Sequence, residues 1–349
     1  MKINRIAITD ILPPRERGVL LDVRTPAEYE KAHISCALNL PLFSNEERVK
    51  VGTTYKQVSK EDAILLGFEL AGPKFRSYIE TALQLAPEKK VVLYCWRGGM
   101  RSGVMAWALS LYGFDVAVIE GGYKSYRRWA LEQFEEEYDL LILGGMTGSH
   151  KTEILKELKN LKEQTIDLEG LACHHGSAFG SMGHPEDQPA QEQFENDFAL
   201  LLSQFDKSKK IWVEDESHAI GRVQVPDAFW RRMQNCSLIE LQMPSEERVD
   251  FLTEEYGCLE PSFLINSILR IQKRLGPEQT KRAIKAVEEG EMRLFVEEVL
   301  SYYDKMYRKC ILKRGNQNVF PFELHFTTIH QCALDVLKFS QNINLINQI

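Results

Sequence analysis

The stretch Val91–Gly103, VVLYCWRGGMRSG, constrains this chain more than any other. Val91 to Tyr94 read as a buried strand, Cys95 stands at its end, and glycines then open a helical run, MRSGVMAWALSLYG. The turn's backbone N–H groups lack helical partners and point inward at the strand end, while Arg97 and Arg101 add positive charge. Both effects favour a thiolate over a thiol, so Cys95 is a candidate nucleophile with Arg97 and Arg101 as its charge partners. A cysteine after an apolar strand is more often an inert core residue, but such a residue has no use for two glycines and two arginines in the next six positions.

The neighbouring pattern supplies a sheet around that strand. Gly18–Arg24 reads as a strand ending in an Asp-x-Arg turn, Pro26–His33 as a helix with proline at its first position, and Ala37–Leu42 as a second strand. A charged, loop-like region follows up to a helix at Phe75–Ala86. After the Cys95 loop come a helix to Tyr112, a strand Val116–Ile119 and the Gly121–Gly122 turn. Alternating strands and helices predict a parallel sheet whose ligands sit at the carboxyl ends of its strands. Tyr123–Tyr138 reads as a helix joining this half to the next.

A second anion site is written in the same grammar. Leu140–Leu143 is a buried strand, GGMTGSHKT (Gly144–Thr152) a glycine-rich loop, and EILKELKNL a helix. Together they make a P-loop, in which backbone N–H groups of Gly145, Gly148 and Ser149 and the Lys151 side chain cradle phosphates and Thr152 can hold Mg²⁺. His150 occupies the place of the motif's last glycine, where a side chain is expected to crowd the phosphate or restrict the backbone. Ile211–Glu216 reads as a strand ending in acids, with Asp215 the candidate to stand on or beside a metal at Thr152; an ordinary acidic strand end fits the same residues. The strand TIDLE is expected to end at Glu169. Beyond it, His174 and His175 read as solvent-exposed loop histidines before they read as phosphate or RNA contacts, and Arg222 is the charge expected at a phosphate.

Ser245 to about Gly315 is mostly helical, and a last helix, about Ile329–Gln341, packs back by its Leu334, Val336 and Leu337 stripe. From Pro261 to Phe320 there are 12 Lys+Arg against 7 Asp+Glu, an excess of 5, so the remainder of a chain of net charge −7 carries −12. Charge alone does not separate a nucleic-acid docking surface from a solvated helix face here. Seven scattered cysteines with no C-x-x-C pair argue against a disulfide framework and a zinc site. No apolar run is long enough for a membrane span, and the N-terminal residues lack a signal-like apolar block, so a cytoplasmic protein is expected.

LLDVRTPAEYEKAHISCALNLPL, YCWRGGMRS and VIEGGYKSYRRW resemble, in that order, a rhodanese domain over roughly the first 130 residues. The loop departs from the commoner C-x-x-G-x-R pattern, since five residues separate Cys95 from Arg101. That spacing also resembles the phosphatase branch of the fold, although Trp96 and Met100 make the loop bulkier and more apolar than a phosphate site needs. With GGMTGSHKT, IDLEGLA and EDES following, the whole chain resembles the tRNA 2-selenouridine synthase family. The resemblance implies an N-terminal rhodanese-like parallel-sheet domain (1–130), a linking segment (131–138), and a P-loop α/β domain (139–349) with a basic helical part (about 245–349). It also implies an activity: replacement of sulfur by selenium in 2-thiouridine at wobble position 34 of tRNA(Lys), tRNA(Glu) and tRNA(Gln). Selenophosphate, delivered by the enzyme that makes it, is the selenium donor, and S-geranyl-2-thiouridine formed from geranyl diphosphate is the intermediate. On that reading the P-loop holds the diphosphate, and Cys95 carries selenium as a Cys–S–SeH adduct while phosphate and geranylthiol leave. No tightly bound cofactor or metal is expected beyond Mg²⁺ as an option. An ATP-dependent tRNA sulfurtransferase and a Cys-x5-Arg phosphatase with a nucleotide-binding domain are the alternatives.

Overall fold

The computed structural model describes residues 3–11, 17–174, 188–314 and 318–346. They divide into two units: Met1–Glu136 with Ala190–Gln204, and Glu137–Pro189 with Phe205–Ile349.

The first unit is built on a five-stranded parallel sheet of β1 (Asn4–Ile6), β2 (Val19–Asp22), β3 (Leu38–Asn39), β4 (Lys90–Tyr94) and β5 (Asp115–Ile119), in the order β1-β5-β4-β2-β3. β4 is central and buried from Val91 to Tyr94, as a strand covered on both faces must be. Its carboxyl end delivers Cys95. The Gly121–Gly122 turn then closes over the loop: the Tyr123 N–H donates to the Cys95 carbonyl at 2.8 Å and the Lys124 N–H to that of Trp96 at 3.0 Å. Gly122 has φ +59°, and a Cβ there would lie 2.2 Å from the Cys95 carbonyl oxygen, so only glycine lets the two turns meet. Beside them the buried Asp22–Arg24 pair (2.6 Å) fixes the end of β2, with the Arg24 guanidinium 3.9 Å from the Tyr123 ring centre.

The charged region after β3 is helical. Two helices, Asn45–Gln57 and Lys60–Ala71, fill it, each started by a serine: Ser44 forms a capping box with Glu47, and Ser59 accepts from the Asp62 N–H. What hides them from the hydrophobic pattern is that Val49, Tyr55, Val58, Leu65 and Phe68 stay exposed instead of facing a core, and Gly52 and Gly67 interrupt the runs. The helix expected to reach Tyr138 spans Gly122–Gln133. It packs on a helix from further along the chain, Gln191–Leu202: Arg127 donates to Asn196 Oδ1 at 2.7 Å and the Tyr126 hydroxyl to the Asn196 carbonyl at 3.0 Å.

The second unit carries a parallel sheet of β6 (Leu140–Gly145), β7 (Gln164–Ile166), β8 (Ile211–Glu214), β11 (Leu238–Gln242) and β12 (Val319–Glu323), ordered β12-β11-β6-β8-β7. A short antiparallel pair, β9 (Ala219–Ile220) and β10 (Val223–Gln224), stands apart. β6 is buried throughout and runs into the glycine-rich loop. Helices Lys151–Asn160 and Ile329–Ile346 pack on the sheet through Ile154, Leu155, Leu158, Ala333 and Val336. Four helices, Ser245–Gly257, Pro261–Leu275, Pro277–Glu288 and Met292–Arg314, enclose a separate apolar cluster around Leu264, Ile268 and Phe295. The expected strand to Glu169 stops at Ile166; Asp167 then caps a short helix, Leu168–Ala172, that places Glu169 inward. No helix among the described residues is long and apolar enough to cross a membrane.

Candidate active sites

Cys95 lies at the end of β4, 4% exposed, with the Ser102 hydroxyl 3.3 Å from Sγ. Burial opposes ionisation of the thiol. Hydrogen bonds from the Ser102 side chain and backbone and from the Arg97 backbone outweigh it, with the Arg101 charge behind them, and bring the thiol below its ordinary value. The site is thus built to hold an anionic sulfur.

The two arginines divide their work. Arg101 is part-buried and pairs with Glu28 at 2.6 and 3.2 Å, so it is positioned by the helix Pro26–Lys31, which Thr25 and Glu28 open as a capping box. Arg97 serves the sulfur through its backbone N–H, and its side chain is exposed. Trp96 and Met100, 41% and 57% exposed, flank the loop. Ser102 and Glu28 are not singled out by the sequence pattern; the serine following the loop's last arginine was the available signal.

In the second unit, Gly145, Gly148, Ser149, His150, Lys151 and Thr152 line one cavity of about 640 Å³. Gly145 has φ +155° and a Cβ there would fall 2.4 Å from Ser149 Oγ, so the loop closes only on glycine. Lys151 opens the following helix, whose N-terminal N–H groups complete the anion cradle. His150 takes the left-handed conformation that glycine would, with φ +58°, and its ring lies against Phe251 and Phe326 at 3.9 and 4.5 Å between centres. The substitution therefore preserves the loop's backbone path. Buried Arg248 braces the loop by donating to the Thr147 carbonyl at 3.1 Å while paired with Asp304. The same cavity is also lined by Phe251, Leu252, Tyr302, Tyr303 and Met306, with Phe251 and Leu252 packed against the loop itself.

Three carboxylates stand where one was expected. The Thr152 hydroxyl donates to Glu214 Oε1 at 2.9 Å, while Asp215, one residue on, pairs with Arg314 at 2.6 Å. Strand alternation separates them, and Glu214 takes the place beside Thr152 that the sequence pattern assigned to Asp215. Glu169, Glu214 and Glu216 each bring an oxygen within 4.8 Å of the others. Burial, then repulsion from Glu214, pushes Glu169 up to about 8; burial also raises Glu214, and burial with both neighbours raises Glu216. Glu214 Oε2 is buried with no hydrogen-bond partner. Such a cluster fits a divalent cation, which would let all three ionise together.

The remaining candidates lie elsewhere. Arg222 is exposed and donates to the Gln188 carbonyl at 2.7 Å, away from the cradle. His174 is half-buried, its backbone N–H donating to the Glu169 carbonyl, and His175 lies outside the described residues. In the basic helical part, Arg282, Arg293 and Arg314 are tied to Glu298, Asp250 and Asp215. Arg270, Lys273, Arg274, Lys305, Arg308 and Lys309 are exposed and make no salt bridge among the described residues, so the usable positive charge sits on two helix faces.

A thiolate cradle on a rhodanese-type sheet and a P-loop on a second sheet define a two-site chain of the group-transfer kind. Residues 10–128 match the rhodanese-like domain, and residues 138–333 match the tRNA 2-selenouridine synthase AAA domain. Proteins named tRNA 2-selenouridine synthase are similar along most of the chain. The one from Hydrogenovibrio crunogenus is 38% identical, covering 78% of this chain and 80% of its own; that from Nitrosomonas europaea is 38% identical over 74% and 68%; that from Shewanella loihica is 34% identical over 90% and 94%. The chain belongs to the tRNA 2-selenouridine synthase family.

Two measurements check these sites. Alkylation of Cys95 by iodoacetamide is expected to persist below the ordinary thiol pKa. Ser102→Ala should move its pH midpoint upward, and a midpoint one pH unit higher slows alkylation at neutral pH by about tenfold; an unmoved midpoint contradicts the role given to Ser102. For the carboxylates, the folded chain retains a proton that the unfolded chain releases between pH 4.5 and about 8, so stability falls as pH rises through that window. Melting temperatures without divalent ions should follow this slope, Mg²⁺ should reduce it and Glu169→Gln should flatten it.

Proposed function

We propose that this chain is a tRNA 2-selenouridine synthase, replacing the sulfur of 2-thiouridine at wobble position 34 of tRNA(Lys), tRNA(Glu) and tRNA(Gln) by selenium. The observation that carries the reading is that a P-loop and a set of aromatic side chains line one cavity, in a chain that also holds the Cys95 thiol below its ordinary pKa. An allylic diphosphate such as geranyl diphosphate offers a diphosphate to the cradle and an apolar chain to the aromatic and aliphatic side chains of the same cavity. Gly145, Gly148, Ser149, Lys151 and Thr152 hold the diphosphate, and a Mg²⁺ beside Glu214 and Thr152 would add charge to the leaving group. The 2-thio sulfur attacks C1 of the geranyl group, the C–O bond breaks with its electron pair going to diphosphate, and the base gives up its N3 proton. ATP is not required.

Alkylation converts a poor leaving group into a thiolate that can depart. Selenium in selenophosphate is already at the selenide level, so an S–SeH adduct formed with release of phosphate would need a two-electron oxidant. The redox-neutral form of the Cys95 step is attack of the thiolate on phosphorus, giving S-phosphocysteine and hydrogen selenide anion within the cradle. Selenide then adds to C2 of the S-geranyl base and expels geranylthiolate, and water returns Cys95 by releasing phosphate. The C-x5-R loop and Ser102 suit a cysteine that must both attack and leave. The exposed cations of the helical part would engage the RNA backbone, giving affinity that falls steeply with salt.

The test is mass spectrometry of nucleosides from 2-thiouridine tRNA incubated with geranyl diphosphate and selenophosphate. Wild type should yield 2-selenouridine, Cys95→Ala should accumulate the S-geranyl nucleoside, and Lys151→Ala should leave 2-thiouridine unchanged. Unmodified RNA from the wild type sinks the reading.

A further inference from the structure

The first unit contains a cavity of about 730 Å³, within the size range of small-molecule sites, and its lining is almost wholly apolar. Its walls are the helices Asn45–Gln57 and Lys60–Ala71 and the helix Met100–Tyr112 that leaves the Cys95 loop. Phe43, Val51, Ile64, Phe68, Val104 and Trp107 face it. Met100 and Arg101, the last residues of the loop's C-x5-R span, line the cavity, so it reaches the loop that carries Cys95.

The glycines of these helices are the unexpected feature. Gly52, Gly67 and Gly103 lie in the interiors of three different helices, and all three line the same cavity. Glycine is the least favourable residue in a helix interior after proline. Folding does not require it at two of these places: a Cβ at Gly103 meets nothing within 4 Å, and one at Gly67 makes only an ordinary 3.5 Å contact with Phe43. Helix propensity and burial alike favour a larger side chain there. The cavity walls are bare where filling them would stabilise the protein, which points to an occupant.

We propose that this cavity receives the geranyl chain of S-geranyl-2-thiouridine while its base is held at Cys95, a proposal that rests on the S-geranyl route above. An apolar chain suits the lining, and its attachment to the leaving sulfur suits a position against the loop. The exposed cations Arg48 and Lys56, which line the same cavity, suit the anionic RNA from which the chain hangs. The cavity thereby selects the alkylated base over the unalkylated one and gives the departing geranylthiol a place to go.

Gly103→Leu and Gly67→Leu fill the cavity from two helices. Binding of the full-length protein to anticodon stem-loops carrying S-geranyl- or S-methyl-2-thiouridine is measured by fluorescence anisotropy, and circular dichroism reports folding. Wild type is expected to prefer the geranyl RNA by tenfold or more, and each variant to lose that preference while binding the methyl RNA as before. Geranylation of 2-thiouridine RNA by the variants should be unchanged. A preference that persists in both folded variants overturns the proposal, as does its absence in the wild type. Preference lost in the variants but with no selenation by wild type supports the cavity and removes the proposed function. If sedimentation shows a wild-type dimer that Gly103→Leu dissolves, a second copy occupies the cavity and the proposal fails.

Discussion

Each unit ends a buried parallel strand in a glycine-bearing loop that gathers backbone N–H groups at one point, the place in either sheet best suited to a negative charge. At β4 the anion is a sulfur, held by the loop that opens the helix Met100–Tyr112; at β6 the cradle is shaped for phosphate and opens the helix Lys151–Asn160. Backbone donors are fixed by the fold and need no reorganisation when charge arrives. The cost falls on the turns, which demand glycine: Gly122 against the Cys95 carbonyl and Gly145 against Ser149.

Side chains then refine the two cradles in opposite ways. Around Cys95 they stabilise charge, through Ser102 and an Arg101 anchored by Glu28. Around Thr152 they concentrate it, since Glu169, Glu214 and Glu216 repel one another in a buried space that Lys151 alone does not neutralise. The first arrangement suits a nucleophile and the second suits a divalent cation beside the phosphate loop.

Both cradles were legible in the sequence because a strand, a glycine-rich turn and a helix leave a local signature. Cys95, Lys151 and Thr152 followed from it directly. Glu214 was misplaced by one residue to Asp215 because pattern fixes a strand but not which acid at its end faces the loop; the Thr152 contact decides that. Glu169 was expected on the sheet edge that carries the P-loop, but its grouping with Glu214 and Glu216 was not, because those neighbours come from another strand end. The helices Asn45–Gln57 and Lys60–Ala71 were missed for a different reason. Their serine caps are plain, but their apolar residues are divided among the core (Val51, Leu70, Ala71), the cavity (Ile64, Phe68) and solvent (Val49, Leu65), so no clean periodicity results. The local signature failed at the place where the structure leaves room for a ligand.

On the proposed function the two cradles act in sequence on one base, alkylation at the P-loop and selenium delivery at Cys95. The most direct measurement supplies tRNA already carrying S-geranyl-2-thiouridine, with selenophosphate and no geranyl diphosphate, to Lys151→Ala and Cys95→Ala proteins. Lys151→Ala protein is expected to yield 2-selenouridine at close to the wild-type rate and Cys95→Ala protein none. Failure of the Lys151→Ala protein on this substrate, or selenouridine from the Cys95→Ala protein, would contradict it.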